Sequence, residues 1–316
     1  MSTLKLNSIA LLLCLAAWPL FAADSGPAGG SEVDKLVAVL KSEAPQKDKA
    51  DACRELARVG TADAVASLAA LLGDEQLSHM ARYGLETIPD RSVDGALRDA
   101  LGRLHGRLLA GVIGSIGVRR DASAVKPLAK LLGDADPDVA QAAARALGKI
   151  GGRSAAQAIE AALPQSPAAN QLAFCEGLLR CAETLSTGRF AREDTAIYDH
   201  LRALPVAPQV RTAAWRGAIL TRREGGLPLL IEALHSDDFS LFASAARISD
   251  ELPGSRVTLA LASELKKPSP ERQILLIQTL GRRRDPKALP ALFEAARNGE
   301  KPVRAAAIRG LAEIGS

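Results

Sequence analysis

Apolar residues recur along this chain at helical spacing, in short segments that turn residues separate. In one unit, a periodic segment over 122–132 is followed by the turn GDADP and by a second periodic segment over 138–150. Asp136 before Pro137 is typical of a helix start, and Gly151 is typical of a helix end. No segment alternates apolar and polar residues as a strand does. The pattern predicts an all-α chain built from helix pairs.

The helix pairs repeat along the chain. Residues 64–74 (AVASLAALLGD) match residues 124–134 (AVKPLAKLLGD) at eight of eleven positions, with an offset of 60. Residues 117–151 also align without a gap to residues 281–315, with an offset of 164 that corresponds to five units of about 33 residues. The chain is expected to hold about nine pairs, which begin near Glu32, Ala62, Val93, Ala122, Ser154, Glu193, Leu227, Val257 and Pro286.

One helix pair cannot bury its apolar face alone, so neighbouring pairs are expected to stack around one continuous core. The clearest units show a Leu-x-x-Leu first helix, an Asp-Pro turn and a Val-x-x-Ala-Ala-x-Arg-x-Leu-x-x-Ile-Gly second helix. This motif resembles HEAT repeats, in particular the short bacterial type of the phycobilisome lyases. The resemblance implies a right-handed α-solenoid over residues 32–316.

The first residues are typical of a secretory signal peptide. Lys5 supplies a positive charge, residues 9–17 are apolar, and Ala22 and Ala23 are small residues of the kind found at a cleavage site. The apolar run ends at Trp18-Pro19, short of the roughly 20 residues that cross a bilayer. We expect a removed signal peptide over 1–23, a flexible leader over 24–31, and a periplasmic or secreted chain without a membrane span.

Two places depart from the regular array. The pattern lapses over 182–194, which predicts an irregular connection between the fifth and sixth units. The last helix resembles an interior repeat and lacks the polar capping helix that a solenoid normally needs. We therefore expect either association through this end or a further domain after it.

Composition and motifs narrow the classes of function. A chain that is 47% hydrophobic is not disordered, and 3% aromatic residues disfavour a stacking platform for sugars or single strands. The net charge of +4, or +3 without Lys5, gives no general drive toward nucleic acid. The four histidines have no ligand spacing, Cys53, Cys175 and Cys181 show no metal or haem motif, and no catalytic fingerprint is present. We predict no catalytic residue, no metal, no cofactor and no nucleic-acid partner.

A basic residue recurs in one column of the second helices, at Arg54, Arg145, Arg216 and Arg309. One interpretation is a structural ladder, in which these arginines pair with turn residues drawn from Asp63, Asp121, Asp136 and Asp285. The other is a basic groove for an anionic ligand. The column is interrupted at Tyr83 in the second unit and at Gly111 in the third.

A second set of arginines lies in the loops that follow the second helices. It comprises Arg119-Arg120, Arg222-Arg223 and Arg282-Arg283-Arg284. Basic residues are favourable at helix C-termini, which predicts a solvated edge. The alternative is an edge that docks an acidic partner.

Three glycines recur every three residues along one predicted helix, at Gly111, Gly114 and Gly117. Because glycine inside a helix costs about 1 kcal/mol relative to alanine, something is expected to approach closely. A neighbouring helix is one candidate. The other is a pocket on the concave face beside Tyr83, where polar contacts would come from Arg82, Glu86, Arg119 and Arg120.

Taken together, these features predict an exported, non-enzymatic scaffold that binds a protein partner through its concave face and its arginine-bearing edge. The resemblance to phycobilisome lyases leaves an alternative, a protein that handles a small molecule or chromophore as the bilin lyases do. A further alternative is an accessory module of a larger secreted enzyme or cytochrome.

Overall fold

The computed structural model of the chain describes residues 28–186, 193–266 and 269–315. The first helices of the nine pairs are α1 (Ala28–Lys41), α3 (Ala62–Ala70), α5 (Ser92–Ala100), α7 (Val125–Leu131), α9 (Gly152–Ala162), α11 (Glu193–Ala203), α13 (Leu227–Leu234), α15 (Ser255–Glu264) and α17 (Leu289–Asn298). The second helices are α2 (Gln46–Val59), α4 (Ser78–Thr87), α6 (Gly106–Arg119), α8 (Pro137–Ile150), α10 (Ala168–Ser186), α12 (Pro208–Thr221), α14 (Phe239–Ser249), α16 (Pro270–Arg283) and α18 (Lys301–Gly315).

The prediction of an all-helical array of about nine pairs is confirmed over these residues, which contain no strand. Local sequence explains several helix starts. The side chain of Asp136 accepts a hydrogen bond from the backbone N–H of Asp138 at the start of α8, and Asp238 caps α14 in the same way through Ser240. Proline occupies the first turn of α8, where its missing N–H costs nothing.

Two predicted boundaries need correction. Helix α1 begins at Ala28, within the expected leader over 24–31, because the buried Val33 and Leu40 anchor a helix that then extends toward its N-terminus. Helix α10 continues to Ser186, within the expected irregular connection over 182–194, because Ala182 and Leu185 extend its buried stripe. The signal peptide over 1–23 and the middle of that connection, 187–192, lie outside the described residues.

Neighbouring second helices pack through small residues. A Cβ atom built on Gly148 of α8 would lie 2.8 Å from the Cα of Gly177 in α10, so the two backbones are in direct contact. At the equivalent position four repeats later, a Cβ on Gly281 of α16 would lie 3.1 Å from the Cα of Gly310 in α18. The scarcity of aromatic residues follows from this packing, since large rings do not fit between such close helices.

The buried side chains form two apolar clusters. One runs from Val33 in α1 to Ala218 in α12, and the other runs from Trp215 in α12 to Ala307 in α18. Helix α12 contributes to both clusters. No helix among the described residues is both long and apolar enough to cross a membrane.

The last pair exposes apolar surface where interior pairs bury it. Ile308 of α18 is 61% exposed, whereas Ala144, which aligns with it at the 164-residue offset, is fully buried beside α10. Leu311 and Ile314 of α18 are partly buried. Association through this surface remains a prediction.

Candidate functional site

The arginine column has a simple origin in helix geometry. Arg54, Arg145 and Arg216 each lie nine residues after the residue that precedes their helix, namely Pro45, Asp136 and Ala207. Nine residues is two and a half turns, so all three arginines occupy the same position on successive second helices. This register places Gly114 of α6 in the column, nine residues after His105, and not Gly111 as the sequence pattern indicated.

Three of the four predicted column arginines meet acidic side chains, but not the aspartates that were predicted. Arg54 pairs with Asp51 of its own helix at 2.5 Å. Arg145 reaches Glu176 of the next second helix at 3.5 Å. Arg309 is exposed on α18.

Arg216 makes the best-formed pair in the column. Its Nε and Nη2 atoms donate to the two carboxylate oxygens of Glu251, at 2.8 and 2.5 Å. This bidentate pair raises the pKa of Arg216, chiefly through the hydrogen bond to Glu251. Both side chains remain about half exposed, so the pair is a surface feature and adds little to stability.

The predicted aspartate partners are used elsewhere, because they lie in turns away from the column. Asp121 and Asp285 accept hydrogen bonds from backbone N–H groups at the start of the next first helix, and Asp121 also pairs with Arg98. Asp136 caps α8, and Asp63 accepts a hydrogen bond from the hydroxyl of Thr61. Helix capping therefore engages three of these four carboxylates, those of Asp121, Asp136 and Asp285.

A groove with a volume of about 660 Å³ opens between the second helices α12 and α14. Two column arginines line it, Arg216 from α12 and Arg247 from α14, together with Glu251. Apart from the apolar Ile248, the remaining lining is polar or small and comprises Pro208, Gln209, Thr212, Ala213, Ser240 and Ser244. The groove thus offers hydrogen-bond donors and acceptors along two neighbouring helices.

Arg247 belongs to the column, although the sequence pattern missed it. It lies nine residues after the capping Asp238, as Arg145 lies nine residues after Asp136. Counting from the capping residue would have found it. Its Nη2 atom donates to the hydroxyl of Ser244 at 3.3 Å, and the rest of its guanidinium is accessible at the groove.

The edge arginines fall into three groups with different roles, and the first group makes hydrogen bonds within the fold. Arg119 ends α6, yet its guanidinium lies against the end of the preceding second helix, α4. It donates to the carbonyl oxygens of Ile88 at 2.7 Å and Asp90 at 2.9 Å, and it pairs with Asp94. The side chain is only 11% exposed. Arg119 is therefore a cap for α4 and not a ligand-binding side chain.

Arg283 repeats this arrangement five repeats later. It donates to the carbonyl oxygens of Leu252 at 3.0 Å and Gly254 at 3.1 Å, and to the hydroxyl of Thr258 at 3.1 Å. All three partners align with those of Arg119 at the 164-residue offset. Burial lowers the pKa of Arg283, while Asp250 and Asp285 act in the opposite direction. The expectation of a solvated edge is wrong at Arg119 and Arg283, because four unpaired helix-end carbonyls need donors.

The second group of edge arginines adopts left-handed backbone conformations. Arg120, Arg223 and Arg284 have φ angles of 53°, 51° and 49°, and all three are exposed. Arg120 and Arg284 follow directly after α6 and α16, at the position where glycine most often ends a helix. These three guanidinium groups form the exposed part of the edge.

Arg222 and Arg282 complete the edge in pairs with carboxylates. Arg222 donates to Asp199 at 2.5 Å, and Arg282 pairs with Asp250 at 3.0 Å. Burial tends to raise the pKa of Asp199, but hydrogen bonds from Arg222 and Arg202 outweigh it, and the net pKa is lowered. Four of the seven edge arginines, Arg119, Arg222, Arg282 and Arg283, are thus engaged within the fold.

The glycine-rich helix α6 does not form the predicted pocket at Gly111. A Cβ atom there would lie 2.8 Å from the guanidinium carbon of Arg82, whose Nη1 atom donates to the carbonyl oxygen of Gly111 at 3.3 Å. A Cβ atom built on Gly117 would lie 2.9 Å from the Cα of Ala146 in α8, as expected for close helix packing. No atom lies within 4 Å of a Cβ built on Gly114, so the predicted close approach is wrong at this residue.

The other members of the predicted pocket are partly used within the fold. Tyr83 is 51% exposed on α4. Glu86 accepts a hydrogen bond at 2.6 Å from the hydroxyl of Ser115, which is buried in α6. The Nε atom of Arg82 is buried without a hydrogen-bond partner. The structure brings Arg82, Glu86 and Gly111 together as an interface between α4 and α6.

Comparisons with known proteins bear on the architecture. A family model described as HEAT repeats matches residues 89–178 and 258–316. No curated protein matches the sequence significantly. Among solved structures, Kap121p shares 12% identity with a TM-score of 0.53, and the match covers 92% of this chain but only 38% of Kap121p.

Two other solved structures match at greater relative length but with weaker superposition. The complex of CpcE and CpcF of phycocyanin lyase from Nostoc sp. PCC7120 has 21% identity and a TM-score of 0.34, with coverage of 95% of this chain and 98% of that one. Human deoxyhypusine hydroxylase in complex with glycerol has 18% identity and a TM-score of 0.34, with coverage of 91% and 97%. The likeness to Kap121p supports the architecture, whereas these two have no bearing on function. The chain is an α-solenoid that contains HEAT repeats.

Proposed function

We propose that this chain is an exported, non-enzymatic scaffold that binds a protein partner on the face formed by its second helices. The observation that carries the proposal is the groove of about 660 Å³ between α12 and α14. Stacked helical repeats provide extended surfaces of this kind, along which a partner makes contacts with several repeats. The groove would hold the segment of the partner that lies deepest.

The chemistry of the groove suits a polypeptide. Arg247 offers a guanidinium that no carboxylate among the described residues neutralises, whereas the carboxylate of Glu251 is already paired with Arg216. Thr212, Ser240 and Gln209 add side chains that both donate and accept hydrogen bonds. A segment with exposed backbone amides and an acidic side chain would satisfy these groups. No histidine or cysteine lines the groove, so binding is the simplest use of it.

The proposal of export rests on the sequence of residues 1–23, where Lys5, an apolar run and small residues occur in the order of a signal peptide. Cell fractionation tests it directly. We expect the protein in the periplasmic or extracellular fraction, with its mature N-terminus after Ala22 or Ala23 by mass spectrometry. An uncleaved chain in the cytoplasmic fraction would contradict export and leave the binding groove to be tested separately.

A blocked groove tests the binding proposal. Ala213 is half-buried, lines the groove and belongs to neither apolar cluster, so Ala213→Trp fills the groove without disturbing the core. Ala305 of α18 is equally half-buried and outside both clusters, and Ala305→Trp is the matched control. We expect affinity capture from a cell-envelope extract to recover a partner with the wild type and Ala305→Trp, but at least tenfold less with Ala213→Trp.

One outcome would contradict binding at the groove, and another would contradict the scaffold itself. One is equal recovery of the partner by both tryptophan variants, which would place the contact elsewhere on the array. The other is recovery of no protein while the purified chain carries a bound small molecule, which would favour the alternative of a protein that handles such molecules. Native mass spectrometry of the purified chain distinguishes the second outcome.

A further inference from the structure

A second cavity, of about 340 Å³, lies beside the turns that begin the seventh and eighth helix pairs. Its floor is apolar and is formed by Leu227, Leu252, Pro253 and Val257. The volume is within the range of small-ligand sites. The cavity shares no lining residue with the groove between α12 and α14.

Three charged side chains surround this apolar floor, namely Arg223, Glu224 and Arg256. All three are exposed at the cavity, and none has a hydrogen bond or ion pair to another described residue. Elsewhere along the edge, Arg119, Arg222 and Arg283 are all engaged by carbonyl or carboxylate oxygens. The cavity therefore brings together charged groups that the fold itself does not use.

Arg223 occupies its place in the cavity at a conformational cost. Its φ of 51° is a left-handed conformation that is unfavourable for an L-residue with a side chain but not for glycine. Two glycines lie nearby, at 225 and 226 after Glu224, yet the left-handed position itself carries an arginine. Arg120 and Arg284 share this conformation, so it is the place of Arg223 beside Arg256 and the apolar floor, and not the strain alone, that points to a use for its side chain.

The opposite wall of the cavity is held rigidly. Arg283 donates hydrogen bonds to the carbonyl oxygens of Leu252 and Gly254, which fixes the turn over 252–254 that lines the cavity. Gly254, with a φ of 94°, then leads into α15 without any side-chain cap on the first N–H groups of that helix. The cavity is thus formed before a ligand arrives, which lowers the entropic cost of binding.

We propose that this cavity binds a free carboxylate attached to a small apolar side chain. The guanidinium groups of Arg223 and Arg256 would hold the carboxylate, the apolar floor would take the side chain, and Glu224 would accept a hydrogen bond from the amide N–H beside it. An N-acylated amino acid and the C-terminus of a peptide share this chemistry. The site is separate from the groove of the proposed function, and failure of either proposal would leave the other unaffected.

Calorimetric titration of the full chain with N-acetyl-leucine and with N-acetyl-leucine amide tests the requirement for a carboxylate. We expect the acid to bind and the amide to bind at least tenfold more weakly. A tetrapeptide that ends in leucine, as free acid and as amide, forms the second arm. Tighter binding of the peptide acid than of N-acetyl-leucine identifies a peptide terminus as the source, and the reverse order identifies a small acid.

Arg223→Gly gives a variant in which loss of binding cannot be attributed to unfolding. The substitution removes the guanidinium and relieves the left-handed strain, so we expect binding of the acid to weaken at least tenfold while the melting temperature is unchanged or higher. Arg120→Gly is the matched control, because it makes the same change at a distant repeat. Equal binding of acid and amide, no binding of either acid, or equal weakening by Arg223→Gly and Arg120→Gly would each overturn the proposal.

Discussion

Arg119, the last residue of α6, donates a 2.7 Å hydrogen bond to the carbonyl oxygen of Ile88, the residue that follows α4. One side chain thereby closes the open end of the helix in the preceding repeat. Arg283 does the same for α14 through the carbonyl oxygen of Leu252. The register between neighbouring repeats is thus fixed by specific hydrogen bonds in addition to apolar packing.

Replacement of this cap should be costly even when the charge is kept. Arg119→Lys retains the positive charge but loses the planar fork that reaches Ile88, Asp90 and Asp94 together, and we expect it to destabilise the chain by about 1–3 kcal/mol. Urea unfolding followed by circular dichroism measures the change. Arg120→Lys, at the exposed neighbouring position, is the control and should change stability by less than about 0.5 kcal/mol. Equal effects of the two variants would contradict a capping role.

The left-handed arginines should be replaceable by glycine with a gain in stability. Arg120→Gly and Arg284→Gly relieve the cost of a positive φ, partly offset by the greater freedom of glycine in the unfolded chain, and each should stabilise by about 0.5–1 kcal/mol. Arg120→Ala removes the same charge but keeps the strain, so it should give no gain. If Arg120→Ala stabilises as much as Arg120→Gly, the gain in stability comes from loss of the charge and not from relief of backbone strain.

Two glycines of the second helices should respond to alanine in opposite directions. At Gly177 a Cβ atom would lie 2.6 Å from the carbonyl oxygen of Ala144, so Gly177→Ala should separate α8 from α10 and cost about 1–3 kcal/mol. At Gly114 nothing lies within 4 Å, so Gly114→Ala should gain up to about 1 kcal/mol from helix propensity. Melting temperatures measure both. A destabilised Gly114→Ala variant would contradict this and would indicate that another group packs closely against this part of α6.

Alkaline pH should weaken the fold through its buried thiols. Burial raises the pKa of Cys53 from 9.0 to about 11 and that of Cys181 to about 12. Above pH 9 the unfolded thiols ionise while the folded ones stay neutral, so their contribution to stability is complete below pH 9 and declines as the pH rises toward 11. We expect the free energy of unfolding to fall less steeply over this range in Cys53→Ala than in the wild type. Parallel profiles, measured by urea unfolding in the presence of a reductant, would contradict this.

The sequence predicts the helices well and their side-chain partners poorly, for a physical reason. Helical periodicity is local, so the start of α13 at Leu227 and that of α3 at Ala62 could be predicted from apolar spacing and turn residues alone. The partners of Arg119 and Arg216 lie about one repeat away, at Ile88 and Glu251. Which oxygen they reach depends on how two repeats are rotated against each other, which the spacing of residues along one helix does not determine.

The same limit on prediction from the sequence applies to the candidate site. The column of arginines could be predicted from the repeat, and counting from Asp238 would have added Arg247 to it. The groove could not be predicted, because it depends on the separation of α12 from α14. The Tyr83 region shows the converse, since its residues are neighbours as expected but Arg82 occupies the space beside Gly111.

Helix α12 carries a tryptophan whose fluorescence can report on unfolding of this array. Of the two tryptophans in the sequence, Trp18 lies in the predicted signal peptide and Trp215 lies in α12, where one apolar cluster meets the other. Its ring is stacked under the guanidinium of Arg202, 4.9 Å from the ring centroid, and is 7% exposed. After removal of the signal peptide, the tryptophan fluorescence of this chain would therefore come from the boundary between the two clusters, and would record whether they unfold in one cooperative transition or in two.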